Sequence, residues 1–307
     1  MDQIGQPSAL AELSRTVAAL PPSGMLRDAL ATLRLDEITG STRLAGAHLD
    51  LVEVRALLER SRALGGHRFE EYVLVRDYAS AAGWAANTAR QRKPIGADDL
   101  RALHRLAVRG LADDGGVWRT TNLAPLADGT VPPAHWLVPF ETETLVGRLA
   151  LDEGEAAPIA LARAIARLTR LRPFRTGNGR VARLTANLLA TRRGLPPIVL
   201  DARAQSRYGA ALRAADAGDV APLVTLVQRA LIRGLERIRD AAHAPGDLAP
   251  LAAFAGERGA DALYKAAQRG RLRVVRRDGR LLTTQAWVDA YKSPHTLSPR
   301  FREPNRA

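Results

Sequence analysis

Between two segments with helical spacing of apolar residues, the chain reads Arg172-Pro173-Phe174-Arg175-Thr176-Gly177-Asn178-Gly179-Arg180-Val181-Ala182-Arg183. A Gly-Asn-Gly turn that runs into a helix directs backbone N–H groups and the positive end of the helix dipole towards one point, which favours an anion. Arg180 and Arg183, three residues apart, lie on one helix face and can bind phosphate oxygens. The stretch predicts a phosphate-binding loop made by Arg172, Gly177, Asn178, Gly179, Arg180 and Arg183. A Gly-x-Gly turn alone would equally fit an ordinary helix start.

The segments around this loop predict a mainly α fold. Apolar residues recur every three to four positions over 159–168, after Pro158 in a first turn, and over 181–189, before Gly194. A longer periodic segment covers 220–238. The pattern breaks at 113–136, where a turn at 113–116, a short strand at 117–121 and Asp128-Gly129 predict a β-hairpin. Residues 243–248 read as a linker.

The composition excludes several kinds of site. The 307 residues are 46% apolar and include no cysteine, which rules out disulfides, a thiol nucleophile and thiolate zinc sites. The six histidines include no pair at i, i+4, so we predict no metal site. No apolar run reaches the roughly 18 residues of a membrane span, and the first residues resemble no signal peptide. We therefore expect a cytoplasmic protein that does not bind membranes.

The charge predicts a polyanionic partner. The net charge is +13, and arginine, which suits planar phosphate recognition, supplies 42 of the 45 cations. A compositional bias towards arginine would explain the choice of cation, but not the excess of cations over acids.

The stretch at 172–183 resembles the signature of the Fic (Fido) family, His-x-Phe-x-(Asp/Glu)-Gly-Asn-Gly-Arg-x-x-Arg. The segment Gly115–Arg119 is similar to that family's Gly-x-(Tyr/Trp)-Arg segment, which leads into a hairpin flap that docks target chains and here contains Trp118 and Arg119. The resemblance covers roughly residues 40–240. It implies a Fic-fold helical bundle with a small β-hairpin flap, with an N-terminal helical segment at 1–60 and the core at 61–242.

In that family the motif histidine deprotonates a target hydroxyl, which attacks the α-phosphate of ATP, and the acidic residue holds Mg²⁺. Here the two positions are Arg172 and Thr176. Arginine stays protonated and cannot act as a base, and a neutral hydroxyl is a poor substitute for a carboxylate on Mg²⁺. We predict a loop that binds ATP or another phosphate-containing nucleotide, without Mg²⁺ held by the motif and without standard AMP transfer. A transferase with altered chemistry, residual AMP transfer, or a loop kept only for the fold remain alternatives.

The segment Ser41-Thr42-Arg43-Leu44-Ala45-Gly46 resembles the inhibitory motif (Ser/Thr)-x-x-x-Glu-(Gly/Asn) of many Fic proteins, whose Glu pairs with the second motif arginine. Ala45 stands at the Glu position, so Ser41, Ala45 and Gly46 are interpreted as a remnant of that motif. A plain helix-capping segment fits the same residues.

Residues 249–292 predict a helix from Ala252, a second helix over 261–270, a hairpin turn at 277–280 and a last helix after Thr284. This order predicts a winged helix-turn-helix, and 263–272 resembles excisionase-like and MerR-like DNA-binding modules. Residues 256–307 carry twelve cations and five acids, a surplus of +7. The predicted DNA contacts are Tyr264, Lys265, Gln268 and Arg269 in the groove and Arg276, Arg277 and Arg280 on phosphates.

Protein contact or dimerisation is the alternative use of this module, and a homodimer stays open. The tail at 293–307 is predicted to be disordered. The leading hypothesis is thus a regulator with a degenerate Fic site and a DNA-binding module, whose protein target the sequence does not reveal.

Overall fold

The structure is a computed structural model that describes residues 7–91, 93–125, 129–200, 205–242, 248–255, 260–269, 271–277 and 280–292. The chain forms two compact units, residues 1–19 with 30–236, and residues 20–29 with 237–307. The helices are α1 (Pro7–Ala18), α2 (Gly24–Arg43), α3 (Leu51–Arg60), α4 (Phe69–Arg90), α5 (Ala97–Ala107), α6 (Val138–Leu151), α7 (Ala157–Leu171), α8 (Asn178–Arg192), α9 (Gln205–Asp216), α10 (Ala221–Ala242), α11 (Asp261–Gln268) and α12 (Gln285–Lys292). The strands are β1 (Ala249–Pro250), β2 (Val275–Arg277) and β3 (Arg280–Thr283).

Helix α8 lies at the centre of the first unit, where it packs against α4, α5 and α7. Its residues Val181, Leu184 and Leu188 are almost completely buried, as expected for a helix that is surrounded by other helices. The predicted start of α7 and the predicted end of α8, the helices on either side of the loop 172–177, are confirmed. Pro158 lies in the first turn of α7, and Gly194 adopts φ +69° just after α8. The predicted mainly α bundle is confirmed.

The predicted flap hairpin is wrong for the residues that the structure describes. Residues 117–121 form no strand, and neither do the described residues of 122–136. The backbone N–H groups that a hairpin would need are used elsewhere. Val117 donates to the carbonyl of Asp114 in a turn, and Arg119 donates to the carbonyl of Pro173 at 3.0 Å. Asp128, at the predicted hairpin turn, lies outside the described residues.

In the second unit, β1, β3 and β2 form a three-stranded antiparallel sheet in that spatial order. Ala249 pairs with Thr283, and Val275 pairs with Leu282. The predicted wing hairpin is therefore present, although its turn residues 278 and 279 lie outside the described part. Leu251, Leu263, Ala266, Leu272 and Val288 make a separate small core.

The predicted first helix of this unit is wrong. Only one 3₁₀ turn, Leu251–Phe254, follows β1, because pairing with β3 keeps the backbone extended through Pro250 and Ala255 is extended again at ψ 116°. A pair of α-helices joined by a turn is therefore not found over 248–255 and 260–269. The predicted linker, apart from residue 248, and the predicted tail lie outside the described residues. No helix in the described ranges has the length and apolar character needed to cross a membrane.

Candidate phosphate-binding site

The loop between α7 and α8 has left-handed backbone at both ends. Arg172 adopts φ +45° and ψ +64°, and its N–H closes α7 by donating to the carbonyl of Leu168. Gly177 adopts φ +72° immediately before α8. A non-glycine residue in this conformation costs of order 1–3 kcal/mol and persists only where its surroundings hold it there. The residue at the family's base position is thus fixed by the loop geometry.

Asn178 holds the loop in shape. Its side-chain oxygen accepts the N–H of Phe174 at 2.9 Å, and its side-chain nitrogen donates to the carbonyl of the same residue at 2.8 Å. The Asn178 amide therefore satisfies both the backbone N–H and the backbone carbonyl of Phe174, as a neighbouring strand would in a sheet. Because both ends of the amide are engaged, Asn178 shapes the anion site rather than contacting a ligand through its side chain.

The ring of Phe174 is fully buried and anchors the loop to α5. It stacks on His104 at a centroid distance of 3.8 Å and lies 4.9 Å from the ring of Trp118. His104 accepts the N–H of Gly116 on Nδ1 at 2.9 Å, which leaves the proton on Nε2, 3.2 Å from the carbonyl oxygen of Thr176. Burial lowers the pKa of His104 to about 4, so the ring is neutral at physiological pH.

Sequence reasoning missed His104 and treated it as one of six scattered histidines. Its only local signal is its position on the apolar face of α5, next to Leu100, Leu103 and Ala107. That face predicts burial, but not the contact with a loop that lies 72 residues further along the chain.

Arg119 connects the predicted flap segment to the motif loop. Besides its backbone bond to Pro173, its Nε donates to the carbonyl of Arg172 at 2.8 Å and its Nη1 donates to the carbonyl of Thr121 at 3.2 Å. The residue is 4% exposed, and burial lowers the pKa of its guanidinium, with the charge of Arg172 acting in the same direction. The two flap residues named from the sequence, Trp118 and Arg119, therefore both support the loop.

The two arginines of α8 are buried and bind protein oxygens. Arg180 donates to the carbonyl of Ala107, and burial lowers the pKa of its guanidinium. Arg183 donates from Nε to the hydroxyl oxygen of Ser41 at 2.5 Å and from Nη2 to the carbonyl of Ser41 at 2.9 Å. Both guanidinium groups thus face α5 and α2, so a phosphate would have to compete with these contacts to engage them.

Arg175 is exposed and binds an acidic side chain. Its Nε donates to Oδ2 of Asp114 at 2.8 Å, and this bond holds the pKa of the Asp114 carboxyl below its usual range. The described residues contain no group of three or more His, Asp or Glu side chains that could hold a metal ion. With Thr176 in place of an acid and the nearby Asp114 bound to arginine, the loop offers Mg²⁺ a poor donor set.

The segment that resembles the inhibitory motif contacts α8 through Ser41. Ser41 lies in the last turn of α2 and binds Arg183, whereas Ala45 belongs to the following turn and Gly46 adopts φ +100°. Arg183 thus finds its acceptors in a hydroxyl and a carbonyl of α2, and Ala45 offers it no carboxylate.

A buried acid that sequence reasoning missed lies beside this contact. Oε1 of Glu37 accepts the hydroxyl of Tyr78 at 2.5 Å and the side-chain N–H of Asn187 at 2.8 Å. Burial raises the pKa of the Glu37 carboxyl to about 7, although the hydrogen bonds and the charge of Arg183 act against this. The only signal for Glu37 in the sequence was its place in a stretch of α2 whose other buried residues are small or apolar.

The loop offers an anion backbone donors rather than free cations. The N–H groups of Asn178 and Gly179 are the first two of α8, where helix geometry provides no intrahelical acceptor. A Cβ on Gly177 would meet a methyl of Val108 at 3.0 Å, so only glycine fits this turn without displacement. The candidate site is therefore a helix N-terminus, and Arg172 is partly exposed in the same loop.

Comparison with known proteins agrees with this architecture. The Fic/DOC family model matches residues 94–190, from just before α5 to near the end of α8. Protein adenylyltransferase fic-1 of Caenorhabditis briggsae is 29% identical over 232 residues, which cover 71% of this chain and 44% of that protein. The chain spans less than half the length of the curated relatives it matches.

Two solved structures share the fold. The structure of Fic-1 from C. elegans has a TM-score of 0.71 at 24% identity and covers 76% of this chain and 71% of that one. A Fic family protein from Desulfovibrio desulfuricans G20 has a TM-score of 0.62 at 18% identity and covers 93% and 97% of the two chains. Residues 94–190 of this chain are therefore a Fic/DOC family domain.

Proposed function

We propose that this chain binds the phosphates of a nucleotide at the N-terminus of α8 and does not transfer AMP by the histidine-dependent route. The observation that carries the proposal is the pair Arg172 and Thr176, a permanent cation and a neutral hydroxyl at the base and metal-ligand positions of the motif. A cation in the same loop as the first N–H groups of a helix can help to stabilise a phosphate without a metal ion.

The histidine that contacts the loop is no substitute for the missing base. His104 is the histidine that contacts it, and its ring is buried, neutral and engaged at both nitrogens by Gly116 and Thr176. A general base needs an accessible lone pair within hydrogen-bond reach of the substrate hydroxyl. Arg172 would instead stabilise the negative charge of a bound phosphate, and it would do so equally in the ground state and in a transition state.

Nucleotide binding is tested by calorimetric titration with ATP, with ADP and with AMP, each with and without Mg²⁺. We expect binding that depends little on Mg²⁺ and weakens at least about ten-fold in Arg172→Ala, because a charge-assisted bond to phosphate is lost. Arg170→Ala is the matched control, since it removes the same charge from an exposed position on α7. Unchanged affinity in Arg172→Ala, or binding that needs Mg²⁺, contradicts the proposal.

Absence of AMP transfer is tested with α-labelled ATP, Mg²⁺ and cell lysate. The wild-type chain is expected to label neither itself nor a lysate protein, whereas Arg172→His/Thr176→Asp, which restores a base and a metal ligand, is expected to gain labelling. Wild-type labelling that disappears in Arg172→Ala would instead assign this chain the activity that its relatives' names carry.

DNA binding by residues 249–292 is a second proposed function, and one observation favours it. Tyr264, Lys265, Gln268 and Arg269 are all exposed on α11 or at its end, while Leu263 and Ala266 of the same helix are buried in the small core. The exposed face of α11 is thus the cationic one, and Arg280 on β3 is exposed as well. The side chains of Arg276 and Arg277 lie outside the described part of the structure.

The test is the salt dependence of duplex DNA binding by the full chain. Lys265→Ala/Arg269→Ala is expected to weaken binding at every salt concentration, because it removes two cations of the α11 face that is predicted to enter the groove. Arg60→Ala/Arg68→Ala removes the same charge from exposed positions elsewhere. Equal loss in both variants, or no affinity at low salt, removes DNA as the partner and leaves protein contact as the use of this module.

A further inference from the structure

Helix α6 carries a second apolar stripe that faces solvent. Its buried side, which includes Leu145, Val146 and Leu149, packs into the core of the first unit. On the other side, Phe140 is 70% exposed and Leu151 is 81% exposed. Isolated exposed apolar residues are common, but two such large exposures at the two ends of one helix face indicate a contact surface.

The residues between these two complete a regular stripe. Phe140, Thr144, Gly147 and Leu151 follow at spacings of four, three and four, which places them within about 60° of one another around the helix. A Cβ on Gly147 would have no atom within 4 Å, so the middle of the stripe is open and lacks a side chain. Small residues at the centre allow the backbone of another helix to approach closely.

The stripe is complementary to itself when two copies run antiparallel. With the two-fold axis at the midpoint between Leu145 and Val146, Phe140 lies opposite Leu151 of the other copy and Thr144 lies opposite Gly147. Large apolar residues then meet at both ends and small residues meet in the centre. Closed two-fold contacts require this kind of reciprocity, since each residue of the surface must also serve as a partner.

Two charges on one flank of the stripe fit the same arrangement. Glu141 and Arg148 lie on one flank of the stripe, one heptad apart, and neither forms an ion pair with another described residue. In an antiparallel pair like flanks meet, so Glu141 of each copy lies beside Arg148 of the other. The contact would contain two such pairs, related by symmetry.

We propose that a second copy of this chain covers this face, with the two α6 helices antiparallel. The helix is about 21 Å long, so the contact alone is smaller than a standard interface and supports a dimer of modest affinity.

Sedimentation velocity of the full chain from about 1 to 200 µM tests the dimer, in the concentration range suited to a small interface. We expect dimer at the upper end. Leu151→Glu is expected to raise the dissociation constant at least about ten-fold, because a charge would be buried against Phe140. Val52→Glu, a matched change at a 59% exposed position on α3, is expected to leave it unchanged. Monomer at every concentration, or a dimer that Leu151→Glu does not weaken, overturns the proposal.

Charge exchange tests the flank pairing. Glu141→Arg and Arg148→Glu are each expected to weaken the dimer, and the double variant is expected to recover it, since the pairs are then reversed. A double variant that is weaker than both single variants would contradict the antiparallel register.

Cross-linking tests the register directly, and the cysteine-free chain makes the result unambiguous. Phe140→Cys/Leu151→Cys is expected to form covalent dimers with a short bis-maleimide. Neither single variant is expected to do so, because identical positions lie about 16 Å apart along antiparallel helices. Cross-linking of the single Phe140→Cys variant would mean that the helices run parallel and would overturn the arrangement.

Discussion

Glu37 links the stability of this domain to pH. Its carboxyl is buried in α2 and accepts hydrogen bonds from Tyr78 and Asn187 on one oxygen. Burial raises its pKa from 4.5 to about 7, because desolvation outweighs those bonds and the nearby charge of Arg183. The acid is therefore protonated in the folded protein at a pH at which the unfolded chain has already lost the proton.

The direction and size of the effect follow from this difference. Between pH 4.5 and 7 the folded state binds one more proton than the unfolded state at this site, so stability falls as pH rises through that window. The pKa difference of about 2.5 corresponds to about 3.4 kcal/mol in total, at about 1.36 kcal/mol per pH unit. About 2.5 kcal/mol of this loss falls between about pH 5 and pH 8.

Glu37→Gln removes the titration and keeps an oxygen that accepts from Tyr78 and Asn187. In urea unfolding followed by circular dichroism, we expect the variant to gain about 2.5 kcal/mol relative to wild type between about pH 5 and pH 8. Glu70→Gln, at an exposed position in the first turn of α4, serves as the control and is expected to follow the wild-type pH curve. Parallel curves for wild type and Glu37→Gln would refute the reasoning, because the carboxyl would then titrate alike in both states.

Three further substitutions test the loop and its supports by equilibrium unfolding. Phe174→Ala removes a fully buried ring between His104 and Trp118 and is expected to cost about 3–5 kcal/mol; a cost below about 1 kcal/mol would contradict its role as anchor. Gly177→Ala is expected to cost about 1–3 kcal/mol because of its φ of +72° and the contact with Val108, whereas Gly24→Ala, with open space around it, is expected to be neutral or stabilising. Ser41→Ala leaves Nε of the buried Arg183 without its acceptor and is expected to cost about 1–3 kcal/mol, while an unchanged midpoint would show that another oxygen replaces it.

Local sequence was enough to predict the helices around the motif. The apolar periodicity of α7 and α8, the first-turn Pro158 and the terminating Gly194 act through neighbours only a few residues away, so the local sequence contains the cause. The same reasoning failed at residues 117–121, because the backbone N–H of Arg119 donates to the carbonyl of Pro173, which lies more than about 50 residues further along the chain. It failed again at 251–254, where pairing of Ala249 and Pro250 with β3 limits the predicted helix to one 3₁₀ turn.

The chemistry of the site likewise depended partly on residue type, which the sequence gives, and partly on contacts between distant segments. The sequence alone determined that Arg172 cannot act as a base and that Thr176 offers a metal ion no carboxylate, because protonation and metal affinity depend first on residue type. Only the tertiary structure decided where the cations point. Arg180 and Arg183 lie on one helix face, as their spacing requires, but that face meets α5 and α2, where the carbonyl of Ala107 and the oxygens of Ser41 bind them. Helical spacing specifies which side chains share a face, whereas packing between distant segments specifies what that face contacts.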